Sequence, residues 1–192
     1  MIRDTGTEAP RTQVQRTAAT RAKLLDAAVD SLVELGYSGT STQGIAKRAG
    51  VSRGAQLHHF PTKESLVVAA VAHLVDKRLD EILRARPDPE FGIDALLDAF
   101  TGPLFDAALE LWVAARTDPA LHEAMIPLER KVSDALRVGC LEIMGERVGL
   151  DAIDLSIELA RGFAVSALMR TPQTHHEFRE RLLPVWKALV MK

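Results

Sequence analysis

One cysteine among 192 residues, Cys140, excludes an internal disulfide framework and suits a reducing compartment. Aromatic residues are scarce at 5%, and β-branched runs are rare beside abundant Ala and Leu, a balance that favours helices over strands. Long hydrophobic runs are missing: the longest, residues 66–72, is far too short to span a bilayer, and the first twenty residues lack the apolar core of a secretory signal. These absences lead us to expect a soluble cytoplasmic protein with no membrane partner. Catalytic fingerprints are lacking as well, with no G-x-S-x-G elbow, no P-loop and no dinucleotide-binding glycine run. His122 and Glu123 begin like a zinc-protease motif, but the position four after His122 is Ile126. The adjacent pairs His58-His59 and His175-His176 point about 100° apart on a helix and do not readily chelate one ion. No enzyme activity, cofactor or metal is therefore expected.

What is present is an ordinary globular composition, 47% hydrophobic and 26% charged, enough to bury a core. Its net charge of −2 is unevenly spread. Residues 1–60 hold eight Lys/Arg against five acids, an excess of +3 that leaves −5 for the remainder. A basic end on an acidic body fits an anionic partner for that end.

Residues 1–15 are polar and aperiodic and read as a flexible basic arm. From Thr17 onward Leu24, Ala28, Leu32 and Leu35 recur at helical spacing, with Gly36 where a C-cap glycine belongs. Ser41 or Thr42 caps a short helix that Gly50 stops, Ser52 caps a second that ends near Pro61, and Thr62 caps a longer one bearing Leu66, Ala70 and Leu74. Pro87 and Pro89 mark a boundary at residues 86–90. Beyond it the helical period resumes. Gly102-Pro103 should split the helix of residues 92–116, Asp118-Pro119 should start another, and Pro127 should open the next. Asp151 should cap a helix through Met169, and Thr174 with Glu177 has the capping-box form for a last helix. The expectation is an all-α chain of about nine helices: an arm at 1–15, a DNA-binding unit at 16–62, a connecting helix at 63–85 and a second domain at 86–192.

Two short helices joined by Gly50-Val51-Ser52 have the layout of a helix-turn-helix, in which the second helix enters the major groove. Ala46 is small enough for close crossing, Gly50 gives the turn its freedom and Val51 plugs the gap between the helices. The second helix carries Arg53, Gly54, Gln56 and His58. Gln56 can pair bidentately with adenine, and Arg53 can read guanine or hold a phosphate.

Over Gly36 to Leu66 the string G-Y-x-G-T-S-T-x-x-I-A-x-x-A-G-V-S-x-G-A-x-L-x-H-F-x-x-K-x-x-L resembles the DNA-binding domain of the TetR-type bacterial transcriptional regulators. That resemblance implies a homodimer with an N-terminal three-helix DNA-binding domain and a C-terminal helical domain that binds a small effector and dimerises. It also implies phosphate contacts from Lys63 and Thr42. Leu57 departs from the family's usual tyrosine, moving that contact to His58 or His59 or losing it. The function expected is a ligand-responsive regulator that acts as a repressor on a double-stranded palindromic operator, the rivals being an activator, an effector-independent DNA-binding protein and a helical carrier or enzyme.

For the effector we expect a cavity opened by the breaks at Gly102-Pro103 and Pro127. Its candidate lining is Phe100, Leu104, Trp112, Met125, Met144 and Phe163, with His122 and Arg116 as polar anchors. The last two helices, 152–169 and 175–190, carry apolar faces that one subunit does not cover, and Gly162 with Ser166 permits close approach by a partner helix.

Overall fold

Among residues 12–85, 92–145 and 148–190, which a computed structural model describes, nine helices account for the secondary structure and no strand is present. Helix α1 (Gln13–Gly39) starts earlier than the periodicity suggests. The Thr12 hydroxyl accepts the Gln15 backbone N–H, and the Gln15 side chain accepts that of Thr12, a reciprocal cap that draws residues 13–15 out of the expected arm and into the helix. The arm's residues 1–11 lie outside the described residues. Leu24, Leu25, Ala28 and Leu32 are buried as expected, but Leu35 stands 55% exposed. Gly36 interrupts the helix at φ 65°, a left-handed conformation that glycine alone adopts cheaply.

Ser41 caps α2 (Thr42–Ala49) by accepting the Gly44 N–H at 3.1 Å, and left-handed Gly50 ends it. Ser52 caps α3 (Arg53–His59) through the Ala55 N–H at 3.2 Å. Thr62 caps α4 (Lys63–Ala85) through the Ser65 N–H at 3.1 Å. These four helices build the head around Leu24, Leu25, Ala28, Ile45, Phe60, Leu66 and Ala70.

The predicted break at Gly102-Pro103 is present, separating α5 (Gly92–Ala99) from α6 (Gly102–Ala115). The expected boundary at 86–90 lies outside the described residues. Asp118 caps α7 (Pro119–Met144) through the Leu121 N–H. Pro127 opens no new helix, contrary to expectation, and lies inside α7. Its ring fixes a helical φ, and buried Met125 and Leu128 on either side anchor both halves in one core, so packing carries the helix past the missing hydrogen bond. Helix α8 (Leu150–Ala167) begins after Gly149 rather than at an Asp151 cap. Helix α9 (Pro172–Val190) begins two residues before the expected Thr174 box, because Thr171 accepts the Thr174 N–H at 3.2 Å and Pro172 is preorganised for the first turn.

Two further cores form the body. One joins Leu32 of α1, Val67, Val71 and Val75 of α4, Ala107 and Leu111 of α6, and Leu121 and Met125 of α7. The other gathers Ile93, Leu96, Phe100, Phe105, Ile153, Ile157 and Trp186. Thus α4 turns Leu66 and Ala70 into the head and Val67, Val71 and Val75 into the body. No helix of the described residues is long and apolar enough to cross a membrane.

Candidate nucleic-acid interface and the adjoining cavity

In the head, α2 and α3 meet across the turn at Gly50–Ser52. Ile45 is wholly buried and Ala46 nearly so, while the Val51 N–H reaches the Ala46 carbonyl at 2.9 Å. Arg48 Nη2 reaches Glu34 Oε2 at 2.5 Å and ties α2 to α1. The face left outward carries Arg53, Gly54, Leu57 and His58, all exposed, with Thr42 and His59 half-buried beside it. The His58 and His59 rings meet edge to face at 5.5 Å. Among the described residues, no group of three or more His, Cys, Asp or Glu could hold a metal ion.

Gln56 corrects the sequence reading. It is 1% exposed, and its Nε2 donates to the Phe60 carbonyl at 2.6 Å, so it caps the end of α3 from inside the head and does not face a base. The spacing held the signal: Gln56 lies four residues before core Phe60, on the same helix face. Lys63 is also turned inward. Its Nζ donates to the Tyr37 carbonyl at 2.6 Å and lies 3.7 Å from that ring's centroid, and burial lowers its pKa.

In the body, residues of α4, α6, α7 and α8, with Ala99 of α5, line a partly open apolar cavity of about 70 Å³. Of the expected lining, Phe100, Leu104, Trp112 and Met125 meet there, joined by Val71, Val75 and Phe105. Phe163 lines a neighbouring hollow on the other side of Phe100 and Phe105. Met144 packs near Gly92 instead, because α7 carries it more than four turns past Met125. Arg116 and His122 are exposed at the α6–α7 corner and do not line the cavity, because the turn after Ala115 directs both to solvent. The polar groups that do line it are Arg78, Glu129 and Arg161. Sequence reasoning missed them, although Arg161 stands out as a charge between Ala160 and Gly162-Phe163-Ala164.

A family model described as bacterial regulatory proteins, tetR family, matches residues 24–70, the span of the head. The HTH-type transcriptional regulator CymR of Pseudomonas putida is 36% identical over 180 residues, covering 87% of this chain and 88% of that one. An uncharacterized HTH-type transcriptional regulator of Mycobacterium bovis is 31% identical over 189 residues, covering 94% and 97%. A solved transcriptional regulator from Rhodococcus sp. Rha1 superposes with a TM-score of 0.69 at 28% identity, over 89% of this chain and 95% of that one. The chain belongs to the TetR family. It is a helix-turn-helix, DNA-binding transcriptional regulator and not an enzyme.

In this TetR-family chain the head is fastened to the body at a polar junction as well as through α4. The Tyr37 backbone N–H donates to Glu110 Oε2 on α6 at 3.0 Å. The Tyr37 hydroxyl lies 3.1 Å from Asp118 Oδ2 and 3.3 Å from Glu64 Oε1. Burial, then the hydrogen bond to the Asp118 carboxylate, holds that phenol neutral well above its ordinary range. The Asp118 carboxyl is lowered first by the Leu121 N–H it accepts.

Proposed function

We propose that this regulator is a cytoplasmic homodimer that represses from a palindromic operator and is released when a small, mostly hydrophobic effector enters the cavity between α4, α6, α7 and α8. One observation carries the reading. Helix α4 begins in the head with Leu66 and Ala70 and supplies Val71 and Val75 to the cavity wall, so a ligand that pushes on the wall pushes on the head. The space is smaller than the roughly 150 Å³ of an engineered cavity that takes up benzene, so a bound ligand widens it. Half-sites sit about one helical turn, roughly 34–36 Å, apart, and a shift between two linked heads loses contacts at both.

The heads are linked through α8 and α9. Leu155, Val165, Leu168, Val185 and Leu189 are 41–68% exposed in the single chain, an apolar stripe that a second copy covers. A methyl group built onto Gly162 would meet no atom within 4 Å, which leaves room there for a partner helix. We assign 13–62 to DNA binding, 63–85 to the connection and 86–192 to effector binding and dimerisation. DNA contacts fall to Thr42, Arg53, Gly54, His58 and His59. Lys63 spends one N–H on Tyr37 and keeps two for a phosphate.

The test is a mobility-shift titration on DNA upstream of the protein's own gene, with and without candidate ligands. Specific binding that a ligand weakens supports repression by release. Binding that every ligand strengthens, or that stays independent of ligands that demonstrably fill the cavity, refutes it.

A further inference from the structure

We infer that the effector is a monocarboxylate with a single-ring or short apolar body, and that Arg161 is the residue that grips its carboxylate. The inference rests on the effector reading above and adds the ligand's chemistry. Arg161 comes from α8, and its guanidinium carbon lies 5.0 Å from the Trp112 ring centroid and 5.9 Å from that of Phe100. Its outer end is occupied: Nη1 reaches both oxygens of Glu158, three residues earlier, at 3.1 and 3.2 Å. Its Nε is buried and has no acceptor. A buried, charged N–H without a partner is costly, and the Nε edge of a guanidinium is one that a carboxylate meets side-on with two parallel bonds.

The lining holds one acid, Glu129, while Arg161 is paired with Glu158 and Arg78 with Glu81, so the selecting feature is the unpartnered Nε of Arg161 and not an excess of positive charge. Glu129 is itself bonded, since the Trp112 indole N–H donates to its Oε1. Its negative charge opposes a second carboxylate, which favours monoacids over diacids. The rest of the lining, Val71, Val75, Leu104, Phe105 and Met125 among it, offers only apolar surface to the remainder of the ligand.

Benzoate, benzamide and benzylamine make the test, one ring bearing a carboxylate, a neutral amide or an ammonium. Binding is read by calorimetry and thermal shift on the full chain, and by Trp112 fluorescence in a Trp186→Phe background. Benzoate should bind at least tenfold more tightly than either analogue. Arg161→Gln should weaken benzoate roughly ten- to hundredfold, as expected for a lost hydrogen bond to a charged group, and leave benzamide within about twofold. Circular dichroism checks that the variant is folded, and the benzamide arm reports an intact cavity. Equal or tighter binding of benzamide or benzylamine, undiminished benzoate binding by Arg161→Gln, or no binding of any probe at millimolar concentration overturns the assignment. A benzylamine that releases the operator would keep the effector reading and remove this one. A benzoate held by Arg161 that leaves operator affinity untouched would do the reverse.

Discussion

Replacing Gln56 by alanine separates two roles that the same side chain can play. If its amide read adenine, the loss would be roughly 1–3 kcal/mol of specific affinity confined to one base pair per half-site, with the fold untouched. The geometry predicts something else. Gln56 is 1% exposed and donates to the Phe60 carbonyl at 2.6 Å. Truncation removes a net contribution of about 1 kcal/mol for the hydrogen bond. The hole left by the missing side-chain atoms adds about 1–3 kcal/mol, the lower part of the range for large-to-small core changes. The total, about 2–4 kcal/mol, lowers the melting temperature by roughly 5–15 °C at 2–4 °C per kcal/mol for a chain of this size. Gln56→Leu restores the volume but not the bond and should recover about half of the loss. Calorimetric melting of both variants, with operator binding scanned one base pair at a time, is the assay. Any loss of affinity should be uniform across sequences, because a loosened α3 reads every base less well. Melting at the wild-type temperature together with relaxed preference at one base pair would refute the buried role.

Arg53→Ala should weaken operator binding whichever contact it makes. A base contact predicts about 1–3 kcal/mol at one position, a phosphate contact a uniform loss with the salt slope reduced by about 1, and wild-type affinity with wild-type slope would remove Arg53 from the interface. Val165→Glu adds a charge to the exposed α8 stripe, and sedimentation should find monomer where the parent is dimeric; a parent already monomeric at micromolar concentration defeats the proposed interface. Asp94 gives a pH dependence. Burial raises its pKa, but hydrogen bonds from Lys187 Nζ at 2.6 Å and Arg179 Nη2 at 3.0 Å outweigh that and hold it below the ordinary 3.8. A lowered folded-state pKa stabilises above 3.8 and loses that contribution as pH falls through the folded value. Asp94→Asn should therefore cost roughly 1–2 kcal/mol at neutral pH, with the gap to wild type closing below about pH 4 in urea titrations; a gap independent of pH would contradict the ion cluster's role.

Local chemistry was legible in the chain itself. Ser41, Ser52, Thr62 and Asp118 each announce a helix start, and each accepts the backbone N–H that its position predicts. Gly50 and Gly102 stand at helix ends with positive φ, and Gly36 kinks α1 with one. Such features depend on atoms within a few residues of one another. Pro127 was misread because its local cost is real but is outweighed by Met125 and Leu128, whose burial partners lie on other helices. Gln56 was misread because a polar residue on a reading helix suggested an outward role, although its spacing to Phe60 pointed inward. The cavity's apolar half was legible from residue type and the Gly102-Pro103 break. Its polar half was not, because which charge faces inward depends on how α8 is rotated against α6 and α7. Arg116 and His122 are near the cavity in sequence, whereas Arg161 is near it in space.

The junction at Gly36 and Tyr37 gives the molecule a mechanical character. A methyl group built onto Gly36 would lie 2.8 Å from Glu110 Oε2, the oxygen that accepts the Tyr37 N–H at 3.0 Å. The head is therefore held covalently where α4 leaves it and non-covalently where α1 meets the body, through the Tyr37 junction with Glu110 and Asp118 and through Leu32 in the body core. Gly36→Ala would force the Glu110 contact open, through both its positive φ and the encounter with that carboxylate. On the proposed reading, in which a ligand acts by changing the separation of two linked heads, a looser seat would blur the length on which that response depends.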